Sequence, residues 1–193
     1  MNETPAHIRI FGVALISALL LWGYGTAGPG LLRAATSEDG PVRLLEDRDY
    51  FPAFMRALDG AKGEIVLSFF LFKTNGHHTS CTDRLLAGLV RASKRGVRVR
   101  IVLERGKATK ASPIDTSNRE TATRLRQEGI EVDFDSPRVT THTKVAVIDG
   151  RYIFLGSHNL TNSALRYNHE LSVFIDSPSL AGEILRYIDS LHQ

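Results

Sequence analysis

Within eighteen residues, from His142 to Asn159, the chain carries an imidazole, an ammonium, a hydroxyl and a carboxamide on His142, Lys144, Ser157 and Asn159. These groups form a set for holding a phosphate and attacking it. An imidazole titrates near neutral pH and can attack phosphorus directly. The ammonium supplies positive charge, and the hydroxyl and carboxamide supply neutral donors, so these three can hold the anion. A nucleophilic imidazole also gains from a carboxylate on its second nitrogen, which fixes the tautomer and stabilises the imidazolium. Glu170, in the run Tyr167-Asn168-His169-Glu170, is the candidate. Taken singly, these residues have plainer readings. His142 could be a satisfied surface histidine, Lys144 a solvated charge, and Glu170 a charge at a strand edge. Ser157 or Asn159 could cap a short segment from Leu160 to Leu165. Their common register is what favours chemistry. Nothing in the spacing of His158 or His169 assigns them work, and both read as structural.

That register depends on strands. Lys144 to Ile148 and Tyr152 to Leu155 read as two strands around Asp149-Gly150-Arg151, and Asp-Gly is a hairpin-turn signal. Side chains alternate across a strand, so His142 and Lys144 share one face and Ser157 and Asn159 share one side. Pairing through the turn should set the two pairs opposite each other at the far end of the hairpin. Asp149 is explained equally well as the first residue of the turn. Val42 to Leu45, the apolar run Glu64 to Phe72, Val97 to Leu103, Ile130 to Phe134 and Leu171 to Ile175 read as further strands. Asp49 to Ala61 reads as a helix, as does Thr82 to Arg95, which Gly96 closes. Ser117-x-x-Glu120 reads as a capping box opening a helix that ends at Gly129, and Ser177-Pro178 opens the last helix. Strands alternating with helices and then a hairpin predict an α/β domain, a mixed β-sheet flanked by helices.

The pattern H-x-K-x4-D at His142, Lys144 and Asp149, followed by G-S-x-N at Gly156, Ser157 and Asn159 and by Glu170, resembles the phospholipase D superfamily. The resemblance runs from about Pro41 to the C-terminus. It implies a layered α/β/α fold and a phosphodiesterase that forms a covalent phosphohistidine without a metal or other cofactor. It implies His142 as nucleophile, Lys144, Ser157 and Asn159 as phosphate ligands, and Glu170 as the carboxylate that orients His142. Asp149 matches the motif aspartate and joins the catalytic set, although its family role is more structural. The family's site uses two motif copies, one histidine attacking and the other protonating the leaving group. This chain carries one copy, so the resemblance implies a homodimer whose two-fold axis brings two His142 side chains together. The substrate is a phosphodiester, in a phospholipid or in nucleic acid. Non-specific endonuclease action on DNA or RNA is the alternative to a phospholipase. A non-catalytic binder of anionic lipid or nucleic acid is the reading from another class.

The rest of the chain bounds where such chemistry would happen. Its 193 residues carry a net charge of +3 and a pI near 9.2, which favours an anionic partner without separating nucleic acid from lipid headgroups. Ile10 to Trp22 is uncharged and mostly apolar, follows His7 and Arg9, and precedes Gly25-Thr26-Ala27, a small-x-small cleavage pattern. Its length is short for a membrane span and typical of a signal-peptide core. Residues 1–40 therefore read as a signal peptide or an N-terminal membrane anchor plus linker, and residues 41–193 as the catalytic domain. The domain would be exported (periplasmic or extracellular) or anchored, with membrane association through residues 8–27. A single cysteine, Cys81, excludes an intramolecular disulfide. Its neighbours His77 and His78 complete no zinc pattern, and a solvated loop is expected there. Between Arg91 and Lys110 most cations belong to solvated faces. Arg105, Lys107 and Lys110 follow a strand and could border a cleft for a polyanion.

Overall fold

The computed structural model describes residues 41–106 and 112–191. The N-terminal segment 1–40, with its expected signal peptide or anchor, lies outside them, and so do Lys107 and Lys110. Among the described residues no helix is long and apolar enough to cross a membrane.

Seven strands form one mixed sheet: β1 Val42–Glu46, β2 Glu64–Phe69, β3 Arg98–Leu103, β4 Glu131–Phe134, β5 Lys144–Ile148, β6 Tyr152–Gly156 and β7 Leu171–Asp176, in the order β1-β7-β6-β5-β2-β3-β4. The strands β2, β3 and β4 run parallel, and every other pairing is antiparallel. Among the described residues four helices flank the sheet: α1 Tyr50–Gly60, α2 Cys81–Lys94, α3 Pro113–Gln127 and α4 Pro178–Ser190. Alternation along β2 explains the layering. Ile65, Leu67 and Phe69 enter the larger core with Phe54 and Leu58 of α1, Leu85 and Leu89 of α2 and Leu125 of α3. Val66 points the other way, to Val102, Val147 and Ile188 of α4. The fold is therefore the α/β/α layering expected, with three helices on one face and one on the other.

Two element boundaries move by three residues or more. The strand expected over Glu64 to Phe72 ends at Phe69. Phe72 is buried without being part of the ladder, because it bridges only to Leu160 and its N–H donates to the Asn118 side chain at 2.9 Å. Apolar character outlasts the strand because the chain stays in the core after it leaves the sheet. The third helix opens at Pro113, not at Ser117. Ser112 caps it by accepting the Ile114 N–H at 3.2 Å, and Pro113 fills a first-turn position where no N–H is needed. Ser117 and Glu120 lie inside the helix, so their spacing imitates a capping box without forming one. In α2 the cap is Ser80, whose hydroxyl accepts from Asp83 N–H at 3.1 Å.

Candidate active site

Strands β5 and β6 form the expected hairpin, pairing Ile148 with Tyr152 and Val145 with Leu155. Asp149 and Gly150 both take positive φ, 54° and 60°, which is the tight-turn geometry an Asp-Gly pair supports. The Asp149 carboxylate accepts from the N–H groups of Lys62 at 3.0 Å, Gly63 at 2.8 Å and Glu64 at 3.1 Å. It locks the entry of β2 to the hairpin turn. Lys144 is five residues away along an extended strand, about 16 Å. Asp149 is therefore separate from the catalytic set with which the motif groups it, and its role is to hold the sheet.

Counting outward from Val145 and Leu155 places Lys144 across from Gly156 and His142 across from His158. The expected pairing with Ser157 and Asn159 is one residue out, because Asp149, Gly150 and Arg151 all lie in the loop. Ser157 turns instead to β7. Its hydroxyl donates to Glu170 Oε2 and accepts from Leu171 N–H at 3.0 Å. Asn168 Nδ2 donates to the other Glu170 oxygen at 3.1 Å. Within one chain both Glu170 oxygens are engaged in this way, and neither reaches the His142 ring. The negative charge of Glu170 acts on the Lys144 ammonium.

The His142 ring is exposed and packs on Phe70, with ring centroids 4.4 Å apart and planes inclined at 59°. Among the described residues it makes no side-chain hydrogen bond. Lys144 is only 8% exposed; its Nζ sits 4.9 Å above the same Phe70 ring and donates to the His142 carbonyl at 2.9 Å. Burial pulls the Lys144 ammonium below its ordinary pKa, and Glu170 partly opposes this. A desolvated ammonium with one neutral acceptor is ready to receive an anion. Asn159 caps nothing: Thr161 accepts the Ala164 N–H at 3.1 Å, and Asn159 Oδ1 is buried without a partner. Carboxamide O and N exchange by a flip, so this group offers a donor or an acceptor to a ligand.

Several supporting residues carried no motif. Asn118, wholly buried in α3, donates to the carbonyls of Phe70 and Glu104 at 2.9 Å each and accepts from Phe72. It therefore fixes the backbone under the Phe70 floor. Phe70 N–H in turn donates to Thr143 carbonyl at 2.8 Å, and Ser68 and Thr143 share a 2.7 Å hydroxyl contact. Asp47, in the 3-10 turn Asp47–Asp49 after β1, clasps Glu170: its N–H donates to the Glu170 carbonyl at 2.9 Å and its carboxylate accepts the Glu170 N–H at 2.8 Å. The Glu170 amide, followed by His169 at 3.1 Å, holds the Asp47 carboxyl below its ordinary pKa. A lone polar residue facing inward gives no periodic signal, so only long-range contacts reveal Asn118 and Asp47.

His158 is structural, as expected. It is fully buried and stacks on Tyr50 at 4.3 Å. The Asp47 carbonyl can only accept, so Nε2 carries the proton and donates across 2.9 Å, while Nδ1 accepts from the Ser172 hydroxyl at 2.7 Å. Gly156 makes this possible, since a Cβ there would lie 2.4 Å from Ser172 Cα. The glycine of G-S-x-N is thus a packing requirement between β6 and β7. Cys81 is buried at the start of α2 with its N–H donating to Asn162 at 3.0 Å, and His77 and His78 are exposed. Among the described residues no three His, Cys, Asp or Glu side chains gather in metal-ligand geometry.

The layered sheet and this cluster define a class. A family model described as cardiolipin synthase, PLD-like domain, matches residues 54–192, and the chain belongs to that phospholipase D family. It is 32% identical over 114 residues to a mitochondrial cardiolipin hydrolase of Chlamydomonas reinhardtii, covering 58% of this chain and 48% of the relative. It is 33% identical over 107 residues to a phospholipase D of Rickettsia conorii, covering 54% and 50%. The chain spans about half the length of these curated relatives. The solved structure of Nuc, a phospholipase D family member from Salmonella typhimurium, superposes with a TM-score of 0.64 at 25% identity, covering 78% of this chain and 93% of Nuc.

Proposed function

We propose that this chain is a phosphodiester hydrolase that works through a covalent phosphohistidine on His142. One observation carries the reading: an exposed imidazole and a desolvated ammonium share the Phe70 ring as a floor and are joined by the bond from Lys144 Nζ to the His142 carbonyl. A ring nitrogen of His142 attacks phosphorus, and the bond to the leaving oxygen breaks as a second imidazole gives that oxygen its proton. The second imidazole then takes a proton from water, water attacks the phosphohistidine, and the P–N bond breaks to release product and restore His142. Lys144 and Asn159 stabilise charge on the phosphoryl oxygens. The orienting role of Glu170 requires it to exchange one of its present partners for His142.

The second imidazole comes from a second copy of the chain. An apolar strip beside the site supports this assembly: Leu44, Val173 and Leu155 form one row across β1, β7 and β6, and Leu44, Leu155 and Leu171 are 50%, 41% and 55% exposed. Leu171 adjoins Glu170 and pairs its backbone with Ser157, so the strip reaches the site. The apolar run from Ile10 to Trp22 supports delivery to a membrane or across it.

The phospholipid reading is supported by the relatives named cardiolipin hydrolase and phospholipase D, and by exposed Val139, Tyr167 and Leu171. A nucleic-acid reading is favoured by a separate observation: Lys73, Arg105 and Arg138, all exposed, follow the C-terminal ends of the parallel strands β2, β3 and β4. Full-length protein assayed against cardiolipin, phosphatidylcholine and single- and double-stranded nucleic acid separates the two. Acid quench with phosphorus-labelled substrate should leave label on His142, and an unlabelled His142 during steady turnover rules the covalent mechanism out.

A further inference from the structure

Two buried carboxyls hold the backbone of Thr141, the residue before His142. Glu104 follows β3, Asp135 follows β4, and they are 5% and 3% exposed. Both accept from one backbone N–H, that of Thr141, at 2.6 Å to Glu104 Oε2 and 3.1 Å to Asp135 Oδ2. Their other oxygens accept from Gly106 N–H at 3.1 Å and Arg105 N–H at 2.8 Å. Two acidic groups that converge on a single amide hydrogen lie against each other, and among the described residues no basic side chain donates to either. Such a pair is most stable with one proton, one carboxyl ionised and the other donating to it. Burial and the neighbouring Asp135 both push the Glu104 carboxyl up, against the pull of the Thr141 amide.

We propose that Glu104 and Asp135 are positioning residues, a carboxyl pair that shares one proton and clamps the Thr141 amide, so that the backbone carrying His142 is fixed when the pair is singly ionised and loosens when it is doubly ionised. The inference rests on His142 being the reactive residue. Thr141 precedes it directly. On the other side, the His142 carbonyl accepts from Lys144 and the Thr143 carbonyl from Phe70. The Thr141 clamp is the anchor whose two acceptors carry like charge, and so the one that a proton can switch.

Among the described residues no cation pairs with either carboxyl. On α3, Arg119 is bound to Asp115 at 2.8 Å; between β3 and α4, Arg100 is bound to Asp189 at 2.6 Å. Asp133 of β4 adds a further negative group, and Arg105, Arg138 (in the loop between Asp135 and Thr141) and His142 are exposed to solvent. Lys107 and Lys110 lie outside the described residues. The clamp is intact while Glu104 keeps the shared proton and fails as pH rises through the raised Glu104 pKa, which adds an alkaline limb to activity.

The test uses Glu104→Gln in the full-length chain. The glutamine oxygen still accepts the Thr141 N–H, and its NH2 permanently donates to Asp135. Its kcat should stay within about twofold of wild type at the optimum, while the alkaline half-point moves up by about one pH unit or more. Glu104→Ala, checked for folding by circular dichroism, should lose about tenfold or more in kcat with little change in KM. Superimposable pH profiles for Glu104→Gln and wild type overturn the proposal. A second readout needs no turnover: carboxyl carbon NMR of the His142→Ala chain should show one of the two carboxyls titrating above the ordinary carboxylate range, with the His142-position amide shift following the same curve. Two ordinary titrations overturn the clamp even if hydrolysis is confirmed. A shared-proton titration in a chain that hydrolyses no phosphodiester instead overturns the proposed function and leaves the pair in place.

Discussion

The β5–β6 hairpin is polar at both ends, and the two ends follow opposite rules. At the turn, Asp149 accepts from three backbone N–H groups and ties β2 to the hairpin. At the open end the polar groups are under-satisfied. Asn159 Oδ1 is buried without a partner, the His142 ring packs on Phe70 without a hydrogen bond, and Lys144 spends its ammonium on one carbonyl. Polar groups with every bond made hold a fold together, whereas buried polar groups left short are stable only if something else completes them. Under the proposed function, a bound phosphodiester would supply the charge and the acceptors for Lys144 and for a flipped Asn159 amide. The motif aspartate in the turn and the motif lysine at the start of β5, five residues apart, thus have different work.

Substitutions at the two ends should separate activity from stability. His142→Ala should have the largest effect, lowering kcat by about 10³-fold or more while leaving the thermal midpoint almost unchanged, since the ring is exposed. Residual activity within tenfold of wild type would place the nucleophile elsewhere. Lys144→Met should lower kcat/KM by about 10²-fold, and it should not destabilise, because removing a desolvated charge relieves its burial penalty. Denaturant titration reads the second half of that statement; a large loss of stability would make Lys144 a structural residue. Asp149→Ala should do the reverse. It strands three N–H groups and should cost about 2–4 kcal/mol of stability, with specific activity per folded molecule retained. A variant that stays stable but loses turnover would erase the distinction between the two ends.

The turn end was legible in sequence and the open end only partly so. Asp149-Gly150 announces its backbone geometry, and apolar alternation announces the strands around it, because both signals are local. Among the described residues the seven strands and four helices lie where periodicity and cap signals predict them, apart from shifted ends. The register at Ser157 differs from the expected one for a specific reason: a three-residue loop changes the parity of everything beyond it, and spacing alone does not fix loop length. The motif residues at the site are visible as types, but their partners are not. Asn118 lies 48 residues from Phe70, Asp47 lies 123 from Glu170, and Glu104 lies 37 from Thr141. Each is a single polar residue in a helix, a turn or a loop, positions where the same residue usually faces water. Ser117 and Glu120 show the opposite failure, a local pattern that tertiary packing overrides in favour of Ser112 and Pro113.

His158 offers the smallest and most exacting test, because it belongs to the saturated class yet sits at the unsaturated end. Both ring nitrogens are bonded and the ring is buried, so burial pulls its pKa below the ordinary 6.5. The unfolded chain then binds a proton that the folded chain resists, and stability falls as pH drops below about 6.5 toward the folded pKa. The slope is at most about 1.4 kcal/mol per pH unit for one proton. Glu104 works in the opposite sense nearby: its raised pKa means that the folded chain holds a proton the unfolded chain releases, so its contribution falls as pH rises above about 4.5. The two slopes oppose each other in wild type and can leave a flat profile. The difference between wild type and His158→Gln isolates the histidine, because Glu104 is common to both. Denaturant titrations from pH 7.5 to 5 should show the wild-type advantage over His158→Gln shrinking as pH falls. A constant difference across that range would mean that the folded ring binds its proton as readily as the unfolded one, and an advantage that grows as pH falls would mean that the ring is protonated in the fold, with both nitrogens donating and the Ser172 hydroxyl turned to accept.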